Sequence, residues 1–157
     1  MDFEVIAEFT RISARLSLVL FALAFTFEAL RDGKSRIRLL WGSFIFAHAV
    51  HLGSLVFYFN ALGESPKLEP VLILLVVGVF ALVWMTVILL KNNTAKNQLY
   101  ITPIIGWYLW FLFTATHITR LLDIETAAAI NWILLFVMLS AGGLRVKFTR
   151  QHKFEVT

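Results

Sequence analysis

Five long apolar stretches separated by short polar breaks dominate this sequence. They occupy about residues 12–30, 39–62, 72–90, 99–121 and 127–146. A helix needs roughly 20 apolar residues to cross a hydrocarbon layer about 30 Å thick, because each residue rises about 1.5 Å. The stretches are continuously apolar and lack the period-two alternation of a membrane barrel. The pattern predicts an all-α integral membrane protein, a single bundle of five transmembrane helices in a lipid bilayer.

The composition supports a lipid environment. Hydrophobic residues make up 59% of the chain and charged residues 15%, against about 45–50% and about 25% in soluble domains. The sequence has no cysteine, which excludes disulfides and thiolate ligands. The chain is basic, but its basic residues cluster at the ends of the apolar stretches. This placement indicates membrane orientation and gives no basis for a nucleic-acid partner.

Charge asymmetry between the loops predicts the orientation. Ten of the 14 basic residues fall on one side of the predicted bundle. They are Arg31, Lys34, Arg36 and Arg38 in loop one, Lys91 and Lys96 in loop three, and Arg145, Lys147, Arg150 and Lys153 in the C-terminal tail. The positive-inside rule therefore predicts an outside N-terminus and a cytoplasmic C-terminus. The acidic start Met1-Asp2-Phe3-Glu4 is unlike a cleavable signal peptide. With the compact loops it favours a bacterial inner membrane.

Three histidines lie inside predicted helices. His48 and His51 are three residues apart near the middle of helix two, on one helix face. His117 lies towards the outer end of helix four, with Arg120 three residues further on. Ionisable residues inside a membrane are energetically costly, so each calls for a partner or a function.

These residues suggest that the protein binds haem. One haem b would lie between helices two and four, with its iron bound by His117 and by His51 or His48. Arg120, helped by Arg15 or Arg11, would pair with the propionates. The protein would then be a small redox protein that transfers electrons near the outer face, with a quinone as a candidate partner.

Other interpretations of the same histidines stay open. They could hydrogen-bond backbone or hydroxyl groups between helices, or ligate a non-haem metal. The chain could then be a non-enzymatic accessory or binding subunit, packed in a larger membrane complex or a homo-oligomer. A third hypothesis is a membrane enzyme for a lipid-soluble substrate, with His117 as acid or base and Arg120 orienting an anionic group. Glu28 is interpreted as one half of a local ion pair with Arg31.

Two families offer a comparison of general character. The chain length and helix count resemble those of the tryptophan-rich sensory (translocator) proteins, which bind porphyrins. The Trp- and Pro-rich loop pattern of that family is absent, with only Pro66, Pro70 and Pro103 in the chain. The histidine arrangement is similar in kind to that of small membrane b-type cytochromes, by analogy of ligand type.

Overall fold

A computed structural model describes residues 3–30, 34–63, 69–91, 103–122 and 128–154. Within these ranges the chain is helical and contains no strand. The helices are α1 (Phe3–Leu30), α2 (Lys34–Leu62), α3 (Glu69–Lys91), α4 (Pro103–Leu122) and α5 (Ala129–Phe154). Gly63 ends α2 with a φ of 66°, a conformation that glycine adopts without steric cost, and its N–H bonds to the Asn60 carbonyl.

Three of the helices are long and apolar enough to cross a membrane. They cover Phe3–Leu30, Ser35–Leu62 and Ala129–Thr149, and Val76–Leu90 forms a shorter apolar helix. Large apolar side chains point outwards on all of these helices, such as Phe46 on α2, Phe80 on α3 and Phe136 on α5. Lipid accommodates such surfaces, whereas a soluble monomer rarely exposes them so widely. The helices therefore indicate a membrane protein.

The helices extend beyond several of the predicted apolar stretches. Helix α1 begins at Phe3 rather than near Ile12, and so includes the polar residues Glu8 and Arg11. Helix α5 continues past Val146 to Phe154. Hydropathy marks only the apolar part of a helix, while its backbone hydrogen bonds continue into the polar surface. The predicted starts at residues 99 and 127 lie outside the described residues.

Helix α1 is central to the packing, since it contacts α2, α4 and α5, whereas α3 packs on α2. Helices α1 and α2 are antiparallel: Phe3 lies against Tyr58 at one end, with ring centroids 5.3 Å apart. At the opposite end, Glu28 of α1 meets Arg145 of α5. We call these the amino-terminal end and the carboxy-terminal end of the bundle. The described chain therefore begins and finishes at opposite ends.

A group of buried and partly buried rings fills the middle of the bundle. Phe21 of α1 has no exposed surface and lies 5.9 Å from Trp41, 5.4 Å from Phe44 and 5.1 Å from Phe113, measured between ring centroids. All three contacts are edge-to-face, an arrangement worth about 0.5–1.5 kcal/mol per pair beyond area burial. We call Phe21, Phe25, Trp41, Phe44 and Phe113 the aromatic cluster. It joins α1, α2 and α4.

Helices α4 and α5 are held together by a tryptophan that lies over a glycine. The Trp110 indole Nε1 donates to the Met138 carbonyl of α5 over 2.6 Å. A Cβ atom at Gly142, one turn further along α5, would lie 2.8 Å from the Trp110 ring. The close approach of the indole therefore depends on the missing side chain, as is common where membrane helices pack closely.

Candidate functional site

Polar side chains line the interface between α1 and α2. Ser17 Oγ of α1 lies 2.7 Å from His48 Nδ1 of α2, and Ser13 Oγ lies 3.3 Å from His51 Nδ1. Each imidazole of α2 thus has one ring nitrogen hydrogen-bonded to a hydroxyl of α1. This is the arrangement expected if histidines join neighbouring helices through hydroxyl groups.

The same interface continues towards the amino-terminal end. Ser13 Oγ also lies 3.3 Å from Ser54 Oγ, and Thr10 Oγ1 donates to the Ser54 carbonyl over 3.4 Å. We call the resulting row the hydroxyl–imidazole seam. It consists of Thr10, Ser13 and Ser17 on α1 and His48, His51 and Ser54 on α2.

The spacing of the seam explains its geometry. The α1 members are three and four residues apart, so they share one face, and all three are buried. Their hydroxyls also bond to helix carbonyls: Thr10 to Ile6, Ser13 to Thr10. Ser54 does the same towards His51 on α2. Such bonds satisfy hydroxyl donors inside a membrane helix without breaking it.

The predicted ligand His117 has a hydrogen-bond partner on α5. Its side chain is 5% exposed and is hydrogen-bonded to Asn131, which is also buried. Its Nδ1 is buried and has no hydrogen-bond partner among the described residues. Buried polar atoms are nearly always paired, so an isolated one in a native interior requires an explanation such as a ligand, ion or water.

The charge of Arg120 lies within electrostatic range of both predicted iron ligands. This residue is exposed near the C-terminus of α4, and its positive charge acts on both His51 and His117. Residues of α2 and α4 that are distant in sequence therefore have the same charged neighbour. The structure places His51 and His117 near the amino-terminal end of the bundle.

The other two arginines of the haem hypothesis, Arg11 and Arg15, lie on α1. Arg11 pairs with Glu8 one turn earlier over 3.0 Å, with side chains 64% and 51% exposed. An exposed pair of this kind contributes little to stability, about 0–1 kcal/mol. Arg15 is half-buried, one turn further along α1.

His48 is enclosed by aromatic rings. Phe44 stacks on its imidazole with centroids 5.5 Å apart, and Phe113 of α4 meets it edge-on at 5.7 Å. The space between His48 and α4 is therefore filled by the Phe113 ring. The imidazole of His51 lies one turn nearer to the amino-terminal end, 5.9 Å from that of His48. Of the two, only His48 has a ring of α4 against it among the described ring contacts.

Two imidazole nitrogens are available as donors for the haem that the sequence predicts. An imidazole that ligates a metal usually has its second nitrogen fixed by a hydrogen bond, as Ser13 fixes Nδ1 of His51. This leaves Nε2 of His51 for iron, and His117 offers its isolated Nδ1. The described residues contain no group of three or more His, Cys, Asp or Glu that could hold a metal ion. Haem b needs only two protein ligands, so this donor set suits haem better than a bare ion.

A second polar site, which the sequence analysis missed, lies at the carboxy-terminal end. Arg145 Nη1 lies 2.9 Å from Glu28 Oε2 and donates to the Phe25 carbonyl over 2.8 Å, and both charged side chains are less than a tenth exposed. The placement of Arg145 in a cytoplasmic tail is therefore wrong, because it lies inside the bundle on α5. The described partner of Glu28 is this residue, and Arg31 lies outside the described residues.

The signal for this pair was present in the sequence. Glu28 and Arg145 each fall near the carboxyl end of an apolar stretch, and both stretches are odd-numbered. Alternating helices place those ends on the same side of the membrane. Two opposite charges at similar depth then have reason to pair.

No protein-family model matches this chain, and no curated protein or solved structure is significantly similar to it. The functional argument therefore rests on the residues themselves.

Proposed function

We propose that this protein is a five-span membrane redox protein that holds one haem b between α2 and α4, and that His51 and His117 would bind its iron. The observation that supports it is that the Arg120 charge lies within electrostatic range of both histidines. A guanidinium at this place suits the propionates of a haem, because arginine binds carboxylates in a bidentate manner.

The protein groups would have distinct roles. Ser13 would fix the ring orientation of His51, and Asn131 that of His117. The Phe113 ring would close the site on the side of the aromatic cluster and exclude water. Haem b would supply one-electron chemistry when bound. A lipid-soluble quinone is the proposed electron partner, reached through the membrane near the amino-terminal end.

We infer the orientation from the basic residues. Most of them lie at the carboxy-terminal end or in the predicted loops beside it, so this end would face the cytoplasm of a bacterial inner membrane. The haem would then lie near the outer surface, where Arg120 could reach the propionates.

An absorption spectrum of the protein purified in mild detergent from haem-replete cells tests the proposal. We expect a Soret band and, after reduction, sharp α and β bands. His51→Ala and His117→Ala should each abolish them, while His48→Ala and the matched control His152→Ala should retain them. Size-exclusion profiles and helix content establish that each variant is folded. A colourless wild-type protein that also fails to take up added haem overturns the proposal.

A second candidate is a non-enzymatic subunit of a larger membrane complex. The 2.7 Å bond between Ser17 and His48 favours it, because it gives this histidine a structural role without a cofactor. Isolation of the tagged protein in a mild detergent tests this candidate. A stoichiometric membrane partner together with a colourless preparation would support it, and a coloured monomer would contradict it.

A further inference from the structure

Arg15 is a half-buried arginine inside the first apolar stretch of the chain. The stretch begins near Ile12, and Arg15 lies three residues further on, or about 4.5 Å at 1.5 Å per residue. Among the described residues it forms neither an ion pair nor a hydrogen bond. A guanidinium stays charged in proteins, so at this depth it calls for an anionic partner. We propose that Arg15 binds the phosphate of a phospholipid in the membrane leaflet at the amino-terminal end.

The direction of α1 lets the Arg15 side chain reach the lipid headgroups. In an α-helix each Cα–Cβ bond tilts towards the helix N-terminus, and α1 begins at the amino-terminal end of the bundle. The long side chain therefore leads out of the apolar layer, so that its charge lies at the headgroups. One turn earlier, Arg11 pairs with Glu8 over 3.0 Å. The charge of Arg15 is thus left without a described counter-charge on this face of α1.

Arg15 lies on a different side of α1 from the two histidines of α2. Leu18 and Ala22, three and seven residues further on, share the face of Arg15 and are buried. Ser13 and Ser17 face α2 from the opposite side of the helix. Because α1 otherwise contacts α4 and α5, the Arg15 face borders these helices. A haem bound by a histidine of α2 would lie on another side of α1, so the inference does not rest on the proposed function.

Trp132 of α5 indicates that Arg15 lies at the depth of the headgroups. Helices α1 and α5 both run towards the carboxy-terminal end, and Arg15 and Trp132 each lie 13 residues before their member of the Glu28–Arg145 pair. Trp132 is 62% exposed, and exposed tryptophans gather at the membrane interface. Residues 128–129, two exposed alanines, precede it. The start of α5 therefore leaves room for a headgroup beside α1.

The charge balance on this face favours an anionic phospholipid. Glu8 and Arg11 cancel each other, so one positive charge remains at Arg15. The phosphodiester of phosphatidylglycerol supplies one negative charge, and its oxygens can accept two parallel N–H bonds from a guanidinium. The choline of phosphatidylcholine would add a second positive charge next to the two arginines. We therefore expect the site to prefer phosphatidylglycerol.

Native mass spectrometry of the delipidated protein in detergent tests the proposal, with dioleoyl phosphatidylglycerol as the probe. The wild type should bind one molecule of this lipid several-fold more tightly than dioleoyl phosphatidylcholine. Arg15→Gln should weaken this binding by about tenfold, the scale of one hydrogen bond to a charged group. Arg15→Lys keeps the charge but loses the paired N–H groups, so it should weaken binding less. Arg38→Gln is the matched control and should leave the affinity unchanged, because Arg38 is a half-buried arginine near the opposite end of the bundle.

Three outcomes would overturn the proposal. One is equal affinity of the wild type for the two lipids, a comparison that decides the matter even if Arg15→Gln does not fold. Another is equal affinity of Arg15→Gln and Arg38→Gln for phosphatidylglycerol. The third is displacement of the lipid from the wild type by added haem, which would assign Arg15 to a haem propionate. A protein that binds the lipid in this way but takes up no haem would contradict only the proposed function.

Discussion

Glu28 and Arg145 form a buried ion pair that ties the first helix of the bundle to the last. Their charged atoms lie 2.9 Å apart, and the same guanidinium lies over the Phe25 ring, with its carbon 4.1 Å from the ring centroid. Arg145 thus binds a carboxylate, a backbone carbonyl and an aromatic face, all on α1. Each contact offsets part of the cost of placing a charge inside the membrane protein.

Arg145→Ala should destabilise the protein by about 3–5 kcal/mol, because it leaves the Glu28 charge buried without its guanidinium. Unfolding in detergent, followed by circular dichroism during titration with SDS, measures the change. Lys147→Ala is the control, since Lys147 is exposed two residues further along α5. The double variant Glu28→Leu with Arg145→Leu should regain most of the loss. A double variant as unstable as Arg145→Ala would contradict this explanation.

Gly142→Ala should weaken the packing of α4 on α5. Its new methyl group would lie 2.8 Å from the Trp110 ring, and overpacking of this kind costs about 1–3 kcal/mol. Gly143→Ala provides a closely matched control, because a Cβ there meets nothing within 4 Å. Thermal unfolding of the two variants in one detergent gives the comparison. Equal stabilities would show that the Trp110 ring moves aside freely.

Phe21→Ala should be the most damaging change within the aromatic cluster. This side chain is 0% exposed and contacts four other rings. Its removal leaves a cavity, which should lower the free energy of unfolding by about 3–5 kcal/mol. Phe136→Ala removes the same ring from a position that is 72% exposed on α5, and should change stability little. Denaturant midpoints for the two variants test this. A similar loss in both would mean that ring burial does not determine the cost.

Reporters fused to the two termini should report opposite sides of the membrane. The described chain begins at the end marked by Phe3 and Tyr58 and finishes beyond Arg145 at the other end. A periplasmic phosphatase should be active at the N-terminus, and a cytoplasmic fluorescent protein at the C-terminus. Signals from both termini on one side would exclude a bundle with an odd number of spans.

Hydropathy could predict the helical class and the approximate helix positions, because apolar length is a local property of the chain. The shared face of His48 and His51 follows equally from helix periodicity. The helix limits could not be predicted this way. Phe3, Ile6 and Phe9 recur every three residues, which favours the extension of α1 back to Phe3, whereas nothing in the apolar pattern marks the extension of α5 on to Phe154.

Contacts between helices were much harder to predict. Ser13 and Ser17 look like ordinary small residues in the sequence, and only the register between α1 and α2 shows that they face the two histidines. From the sequence, Arg31 was the expected ion-pair partner of Glu28, because it is the nearest basic residue. The described partner is Arg145, which lies 117 positions further along the chain. Helix register depends on side-chain packing throughout the bundle, and a single sequence does not report it.

The Glu28–Arg145 pair also affects how the chain is made. During synthesis α1 is made well before α5, so Glu28 is without Arg145 until a further 117 residues have been added. A chain that stops short of α5 would retain an acidic group in lipid without that arginine. Membrane proteases could then distinguish an incomplete product from a finished one.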